Sequence, residues 1–126
     1  MSVSTAYIQV ILMTKVEPTK GIEGFEDMFL KDEEISLSYI AVRDRLIFTN
    51  KRIVIINVQG LTGKKVEFHT IPYSKITTFS IETAGVMDID SEMKVWVSGL
   101  GGIEIKFRKG INIKEIGKFL TLKTLQ

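Results

Sequence analysis

From Ile35 onward, apolar and polar residues alternate in short runs that are separated by turn residues. A period of two places successive side chains on opposite faces of a β-strand, and turn signals at intervals of about ten residues are typical of small all-β domains. Seven such runs are present, at residues 35–43, 45–50, 52–58, 64–71, 76–84, 87–98 and 103–109. The sequence therefore predicts a mainly β fold of seven antiparallel strands.

Helical periodicity is found at the two ends of this region. After the last run, apolar residues recur at helical spacing at Ile113, Ile116, Phe119 and Leu120. Asn112 is placed to cap this C-terminal helix, with Glu115 three residues later. A short N-terminal helix is predicted by apolar residues of similar spacing at Ile22, Phe25 and Phe29.

Length and composition predict one packed domain. The chain has 126 residues, of which 44% are hydrophobic and 25% charged, values close to those of globular proteins. Residues 21–126 are predicted to form this domain, whereas residues 1–20 fit either an extra strand or an arm. The apolar stretch at 7–13 is far shorter than the roughly 20 residues of a membrane span. We therefore expect a cytoplasmic protein.

Several kinds of chemistry are disfavoured. The net charge of +2 is too small to predict a nucleic-acid partner. The absence of cysteine excludes zinc–thiolate sites and cysteine nucleophiles. His69 is the one histidine, so histidine-based catalysis would depend on it alone. Because no GxSxG, P-loop or GxGxxG motif is present, we expect a non-enzymatic protein without a cofactor.

The stretch VMDIDSEMKVW at 86–96 carries acids at every second position. In a strand, one face would be apolar and the other would present Asp88, Asp90, Glu92, Lys94 and Trp96. A calcium loop beginning at Asp88 would need glycine at Met93 and glutamate at Gly99. The pattern therefore favours a strand over a metal site, and a metal-dependent enzyme using the three acids is the less favoured alternative.

Trp96 is the most informative residue of this face. A tryptophan among outward charges exposes a large apolar ring, and such residues are enriched where proteins meet their partners. The alternative is that the alternation slips at Ser91 and that Trp96 belongs to the core. The first interpretation predicts an interaction surface.

Basic residues form a second candidate site at strand ends and turns. Arg43, Arg45, Lys64 and Lys65 could bind a phosphate group or an anionic lipid. The other basic residues that could bind phosphate in this way are Lys51, Arg52, Lys106, Arg108 and Lys109. Strand-end lysines and arginines also protect sheet edges or form salt bridges, which is the alternative. Asp44 alone separates Arg43 from Arg45, so this connection is too short to wrap a polyphosphate headgroup.

Four stretches together resemble the bacterial pleckstrin-homology (PH) domain family. They are FTNKRIVI at 48–55, GKKVEFHTIPYSKI at 63–76, FSIETAG at 79–85 and DIDSEMKVWVSG at 88–99. The resemblance covers about Ile35 to Leu125. It implies a PH-like barrel of two nearly orthogonal antiparallel sheets, of four and three strands, with the C-terminal helix closing one end.

The resemblance also implies an assembly. Members of this family form cyclic rings of single domains, commonly pentamers, with a hydrophilic protein-binding surface where strands of adjacent protomers meet. The matching positions near that surface are Glu82, Thr83, Ala84, Gly85, Asp88, Asp90, Glu92 and Trp96. We therefore expect a ring-forming module for an unknown protein partner, and peripheral binding of anionic lipid or phosphate is the alternative.

Overall fold

The computed structural model describes residues 8–85 and 90–125. Its strands are β1 Ile8–Val16, β2 Ile35–Ile40, β3 Arg45–Thr49, β4 Arg52–Gln59, β5 Lys65–Pro72, β6 Ile76–Glu82, β7 Ser91–Val97 and β8 Gly101–Phe107. Its helices are α1 Pro18–Gly21 and α2 Ile113–Thr124, with 3-10 turns at Glu26–Met28 and Tyr73–Lys75. The predicted mainly β fold with a C-terminal helix is confirmed.

The strands hydrogen-bond in the order β5-β4-β3-β2-β1-β8-β7-β6. The prediction of seven strands in two sheets was wrong in both details, because Ile8–Val16 forms an eighth strand between β2 and β8. Residues Thr14 to Val16 pair antiparallel with β2. The sequence predicts either an extra strand or an arm for residues 1–20, and the residues of β1 form a strand.

The chain divides into two compact units. One comprises residues 13–72 and contains β2 to β5, and we call it the 13–72 unit. The other comprises residues 1–12 and 73–126 and contains β6 to β8 with α2, and we call it the 73–126 unit.

In the 13–72 unit, one face of β3 and β4 carries the buried cluster Ile47, Val54 and Ile56. Partly buried apolar side chains cover this cluster, namely Ile22, Phe25, Phe29, Ile35, Val66 and Phe68. The predicted N-terminal helix consists of two short pieces, the helix α1 Pro18–Gly21 and the 3-10 turn Glu26–Met28. Gly24, with φ of +89°, lies between them in a conformation that interrupts a right-handed helix.

Close backbone packing holds α1 against β2. The Ser38 hydroxyl donates a 2.8 Å hydrogen bond to the carbonyl oxygen of Pro18. A Cβ atom added at Gly21 would lie 2.3 Å from the Ser38 Cβ, a distance that no real pair of side chains shows. Glycine at this position therefore permits the contact.

In the 73–126 unit, the inward residues of β7 and β8 form a continuous apolar face. The buried residues are Met93, Val95, Ile103, Ile105 and Phe107 on the strands, with Ile113, Ile116 and Leu120 on α2. The Asn112 side chain accepts a 3.4 Å hydrogen bond from the Glu115 N–H, as predicted for the helix cap. Gly117 allows α2 to approach Ile81 closely.

Candidate functional site

The face of β6, β7 and β8 opposite these apolar residues is polar, and we call it the outer face. It consists of Thr78, Ser80 and Glu82 on β6, Glu92, Lys94 and Trp96 on β7, and Gly102, Glu104 and Lys106 on β8. Ser91, Met93 and Val95 are buried and the residues between them are half-buried, so the alternation does not slip at Ser91. Glu92, Lys94 and Trp96 share the outer face, as predicted.

Opposite charges alternate across the outer face. The Glu92 carboxylate lies 3.6 Å from the Lys94 ammonium, and Glu92 pairs in register with Lys106. Lys94 in turn pairs with Glu104. Glu82, which is exposed, stands opposite Glu92 on β6. The lysines therefore offset the repulsion expected between these carboxylates.

The Trp96 indole rests beside a glycine of the neighbouring strand. A Cβ added at Gly102 would lie 3.4 Å from the indole nitrogen, so the missing side chain makes room for the ring. The Thr77 hydroxyl donates a 3.1 Å hydrogen bond to the Trp96 carbonyl oxygen. The ring is half-buried within this chain and keeps part of its surface exposed.

The remaining predicted interface residues lie beyond the ends of the strands. Thr83, Ala84 and Gly85 are exposed after β6. Asp90 is half-buried and directly precedes β7, which begins at Ser91, so Asp90 itself lies outside the strand. Asp88 lies outside the described residues. Within residues 8–85 and 90–125, no group of three or more acidic or histidine side chains could hold a metal ion.

The predicted anion-binding residues are partly engaged by the fold. The Arg43 guanidinium donates to the Gly60 carbonyl oxygen in the β4–β5 turn, close in sequence to exposed Lys64 and Lys65. Arg45 donates to the Asp44 carbonyl oxygen at 3.2 Å. Its Nε is buried, with no hydrogen-bond partner in the part of the chain that the structure describes.

A buried ion pair in the 13–72 unit was not predicted. Two guanidinium nitrogens of Arg52 donate to the two carboxylate oxygens of Glu33, at 2.8 and 3.0 Å. The Thr49 hydroxyl donates to the same carboxylate at 2.7 Å. Arg52 also donates to the Thr70 hydroxyl and the Met28 carbonyl oxygen. The network joins the segment before β2 to β3, β4 and β5.

The pKa of Glu33 reflects this network. Burial raises the pKa of the carboxyl group, but the hydrogen bonds from Arg52 and Thr49 outweigh burial. The pKa falls from the usual 4.5 to about 2. The carboxylate is therefore ionised at neutral pH and held by its partners, which is the arrangement of a structural ion pair and not of a proton donor.

A pocket in the 73–126 unit was also not predicted. It lies at the start of α2, and we call it the β8–α2 pocket. It has a volume of about 210 Å³. Its lining includes Thr83, Ser91, Arg108, Lys109, Asn112 and Lys114. The sequence predicts Thr83 at a protein interface, and it places Arg108 and Lys109 among the strand-end basic residues that could bind a phosphate group or protect a sheet edge.

The family of this chain follows from comparison with known proteins. The bacterial PH domain family matches residues 7–123, so the chain belongs to it. This match includes β1, which the resemblance did not cover. The uncharacterized protein YjqA of Bacillus subtilis (strain 168) is 43% identical over 100 residues, covering 78% of this chain and 80% of that protein.

Two crystal structures from Shewanella are similar in fold. A DUF1696 family protein with a pleckstrin-homology domain from Shewanella loihica PV-4 has a TM-score of 0.78 and 35% identity, over 90% of this chain and 97% of that chain. A pleckstrin homology domain from Shewanella amazonensis SB2B has a TM-score of 0.68 and 38% identity, over 88% and 90%. The predicted PH-like fold is confirmed.

Among the described residues, no helix has the length and apolar character needed to cross a bilayer.

Proposed function

We propose that this protein is a non-enzymatic PH-like module that assembles into a cyclic ring, most simply a pentamer, and presents a polar surface to a protein partner. The observation that supports this is the outer face, which combines a partly exposed tryptophan with paired charges. Tryptophan anchors at interfaces are typically surrounded by polar contacts that exclude water. Trp96 on the outer face matches this pattern.

The strand order offers a way to build the ring. β5 and β6 stand at the two ends of the order, so each has one strand neighbour in the described structure. A sheet edge of this kind presents backbone groups that can pair with another chain. Repeated contact between two different surfaces closes into a ring when the rotation between protomers fits.

Light scattering of the purified chain tests assembly. We expect a particle about five times the 14.2 kDa mass of one chain. Trp96→Ala should give a folded protein of smaller size, because losing an interface tryptophan typically costs about 2–4 kcal/mol of association. Leu61→Ala is the matched control, since Leu61 is fully exposed in the β4–β5 turn, on a different part of the chain.

Two outcomes would contradict the proposal. One is a wild-type chain that is monomeric at micromolar concentration. The other is a Trp96→Ala variant that keeps its full oligomer size but unfolds at a lower temperature, because the indole would then stabilise the fold of one chain and not its assembly.

Binding of anionic lipid is a second candidate function, supported by Arg43 beside the turn that precedes Lys64 and Lys65. Sedimentation with vesicles tests it. Binding that requires acidic lipid, weakens with salt and is lost in Lys64→Ala/Lys65→Ala would support it. Lys118→Ala, a substitution of an exposed lysine on α2, is the control. Absence of salt-sensitive binding would exclude it.

A further inference from the structure

We propose that the β8–α2 pocket binds a phosphate group. None of the lining residues belongs to the outer face or to the set Arg43, Arg45, Lys64 and Lys65, and the inference does not depend on ring assembly. Three independent features of the pocket support it: the charge of its lining, the start of helix α2, and a buried hydroxyl group that has no partner.

The lining of the pocket is cationic. Arg108, Lys109 and Lys114 all line it, and all three are exposed. No ion pair of theirs is formed with any described residue. Asp90 and Glu115 are close in sequence to lining residues, but neither lines the pocket. The three positive charges therefore favour a multiply charged anion.

Helix α2 begins at the pocket and contributes one open backbone donor. Asn112, Ile113 and Lys114 line the pocket from the first turn of this 12-residue helix. The Ile113 N–H donates to the Ile111 carbonyl oxygen, and the Asn112 side chain caps the Glu115 N–H. The Lys114 N–H donates to no described residue. An open N–H at a helix N-terminus is a favourable position for a phosphate oxygen.

A buried serine beside the start of α2, Ser91, has a hydroxyl group that is unpaired among the described residues, which an ordinary helix start does not have. The residue is 5% exposed, and its hydroxyl oxygen has no hydrogen-bond partner in the described structure. It lines the pocket as the first residue of β7. Buried polar groups are nearly always hydrogen-bonded, and an unpaired one indicates that a partner is missing. An oxygen of a bound phosphate would accept from this hydroxyl.

The pocket is large enough for the ligand. One water molecule needs about 15 Å³ of comparable volume, and the pocket offers about 210 Å³. A phosphate group therefore fits, with room for the organic part of a phosphomonoester to extend toward solvent.

Titration with inorganic phosphate at constant ionic strength, followed by amide NMR, tests the proposal. We expect saturable shifts centred on Ser91 and Lys114 over the millimolar range. Ser91→Ala should weaken binding about tenfold, because a hydrogen bond to a charged group is lost. Lys109→Ala should weaken it about threefold, as expected for an exposed charge. Lys118→Ala lies outside the pocket and should leave binding unchanged.

A second arm identifies the source of the phosphate group. Vesicles of phosphatidylcholine with and without phosphatidic acid are added to wild type and to Ser91→Ala. Binding that requires phosphatidic acid and is weakened by the substitution assigns a lipid headgroup. Phosphate binding without vesicle binding assigns a soluble phosphate compound.

The proposal would be overturned by two results. One is the absence of saturable shifts at Ser91 and Lys114 up to tens of millimolar phosphate. The other is equal phosphate affinity in wild type and Ser91→Ala when that variant is folded. A cationic surface that attracts phosphate without using the buried hydroxyl would give this second result.

Discussion

Two clusters of charged and polar groups in this protein differ in how their hydrogen bonds are satisfied. In the 13–72 unit, the Glu33 carboxylate accepts from Arg52, Thr49 and the Leu30 N–H. In the β8–α2 pocket, Ser91 and the basic lining residues have no such partners in the described chain. The first cluster is complete without a ligand, and the second is not.

The difference separates a structural role from a binding role. A buried charge is tolerated when neighbouring groups replace the water it has lost, and Arg52 does so for Glu33. In the pocket the exposed cations keep their water, whereas the buried Ser91 hydroxyl has lost its water and receives no replacement from the described residues. Charge alone therefore does not indicate a binding site, and unsatisfied hydrogen-bonding capacity beside charge is the better indicator.

The largest effect is expected from breaking the complete cluster. Arg52→Met removes both hydrogen bonds to the Glu33 carboxylate and leaves it buried without its cation. Breaking a buried pair in this way typically costs about 3–5 kcal/mol. Urea denaturation should therefore show a free energy of unfolding lower by about that amount.

Arg108→Met is the matched control in the pocket, because Arg108 is exposed and unpaired among the described residues. It should change the free energy of unfolding by less than about 0.5 kcal/mol. Equal costs for the two substitutions would contradict the distinction between the clusters.

Acid should remove the same stabilisation. Because the pKa of Glu33 is lowered to about 2 in the folded protein, its contribution is fully present above the unfolded value of 4.5. It is lost as the pH falls from 4.5 toward 2, since the unfolded chain takes up the proton first. The loss should reach about 3 kcal/mol.

Glu33→Gln provides the reference for this measurement. Glutamine does not titrate, so the stability of this variant should not depend on the protonation of residue 33. The difference in free energy of unfolding between wild type and variant should therefore shrink as the pH falls from 4.5 toward 2. A difference that stays constant below pH 4.5 would show that the carboxyl group is not held ionised by Arg52.

Packing in the two units should respond differently to an added methyl group. Gly21→Ala would place Cβ 2.3 Å from the Ser38 Cβ, which is fixed to the backbone, and should cost about 2 kcal/mol. Gly117→Ala would place Cβ 2.6 Å from the Ile81 Cδ1, the movable end of a side chain. Helix propensity favours alanine there by about 1 kcal/mol, so the net effect should be small. Thermal denaturation of both variants would compare them, and equal losses would contradict the difference.

Alternation in the sequence was enough to predict most strands, because one face of each is buried and the other is not. The predicted run 52–58 matches β4 Arg52–Gln59, and the run 64–71 matches β5 Lys65–Pro72, to within one residue at each end. Residues 8–16 have no polar face of regular period, so their sequence alone does not distinguish the eighth strand from an arm. The short N-terminal helix is divided into two pieces because Gly24 lies between them with a positive φ, and its apolar residues pack on the core as their spacing predicts.

The candidate sites were less predictable, because they depend on contacts between distant residues. Alternation correctly placed Glu92, Lys94 and Trp96 on one face. The partnership of Arg52 with Glu33, 19 residues apart, has no local signal. In the sequence, Ser91 is a polar exception on the apolar face of β7, and only the fold brings it into the lining of the β8–α2 pocket together with the start of α2.

The smallest expected effect compares two buried serines. The Ser38 hydroxyl donates to the Pro18 carbonyl oxygen, so Ser38→Ala should lower the free energy of unfolding by about 1 kcal/mol. The Ser91 hydroxyl has no partner among the described residues, so Ser91→Ala should leave stability unchanged or raise it slightly in phosphate-free buffer. Urea denaturation of both variants measures the difference.

Adding phosphate should then stabilise wild type more than Ser91→Ala, because binding to the folded state is linked to stability. If Ser91→Ala were as destabilising as Ser38→Ala without phosphate, the Ser91 hydroxyl would already be satisfied by the fold, and the contrast between the complete and the incomplete cluster would fail.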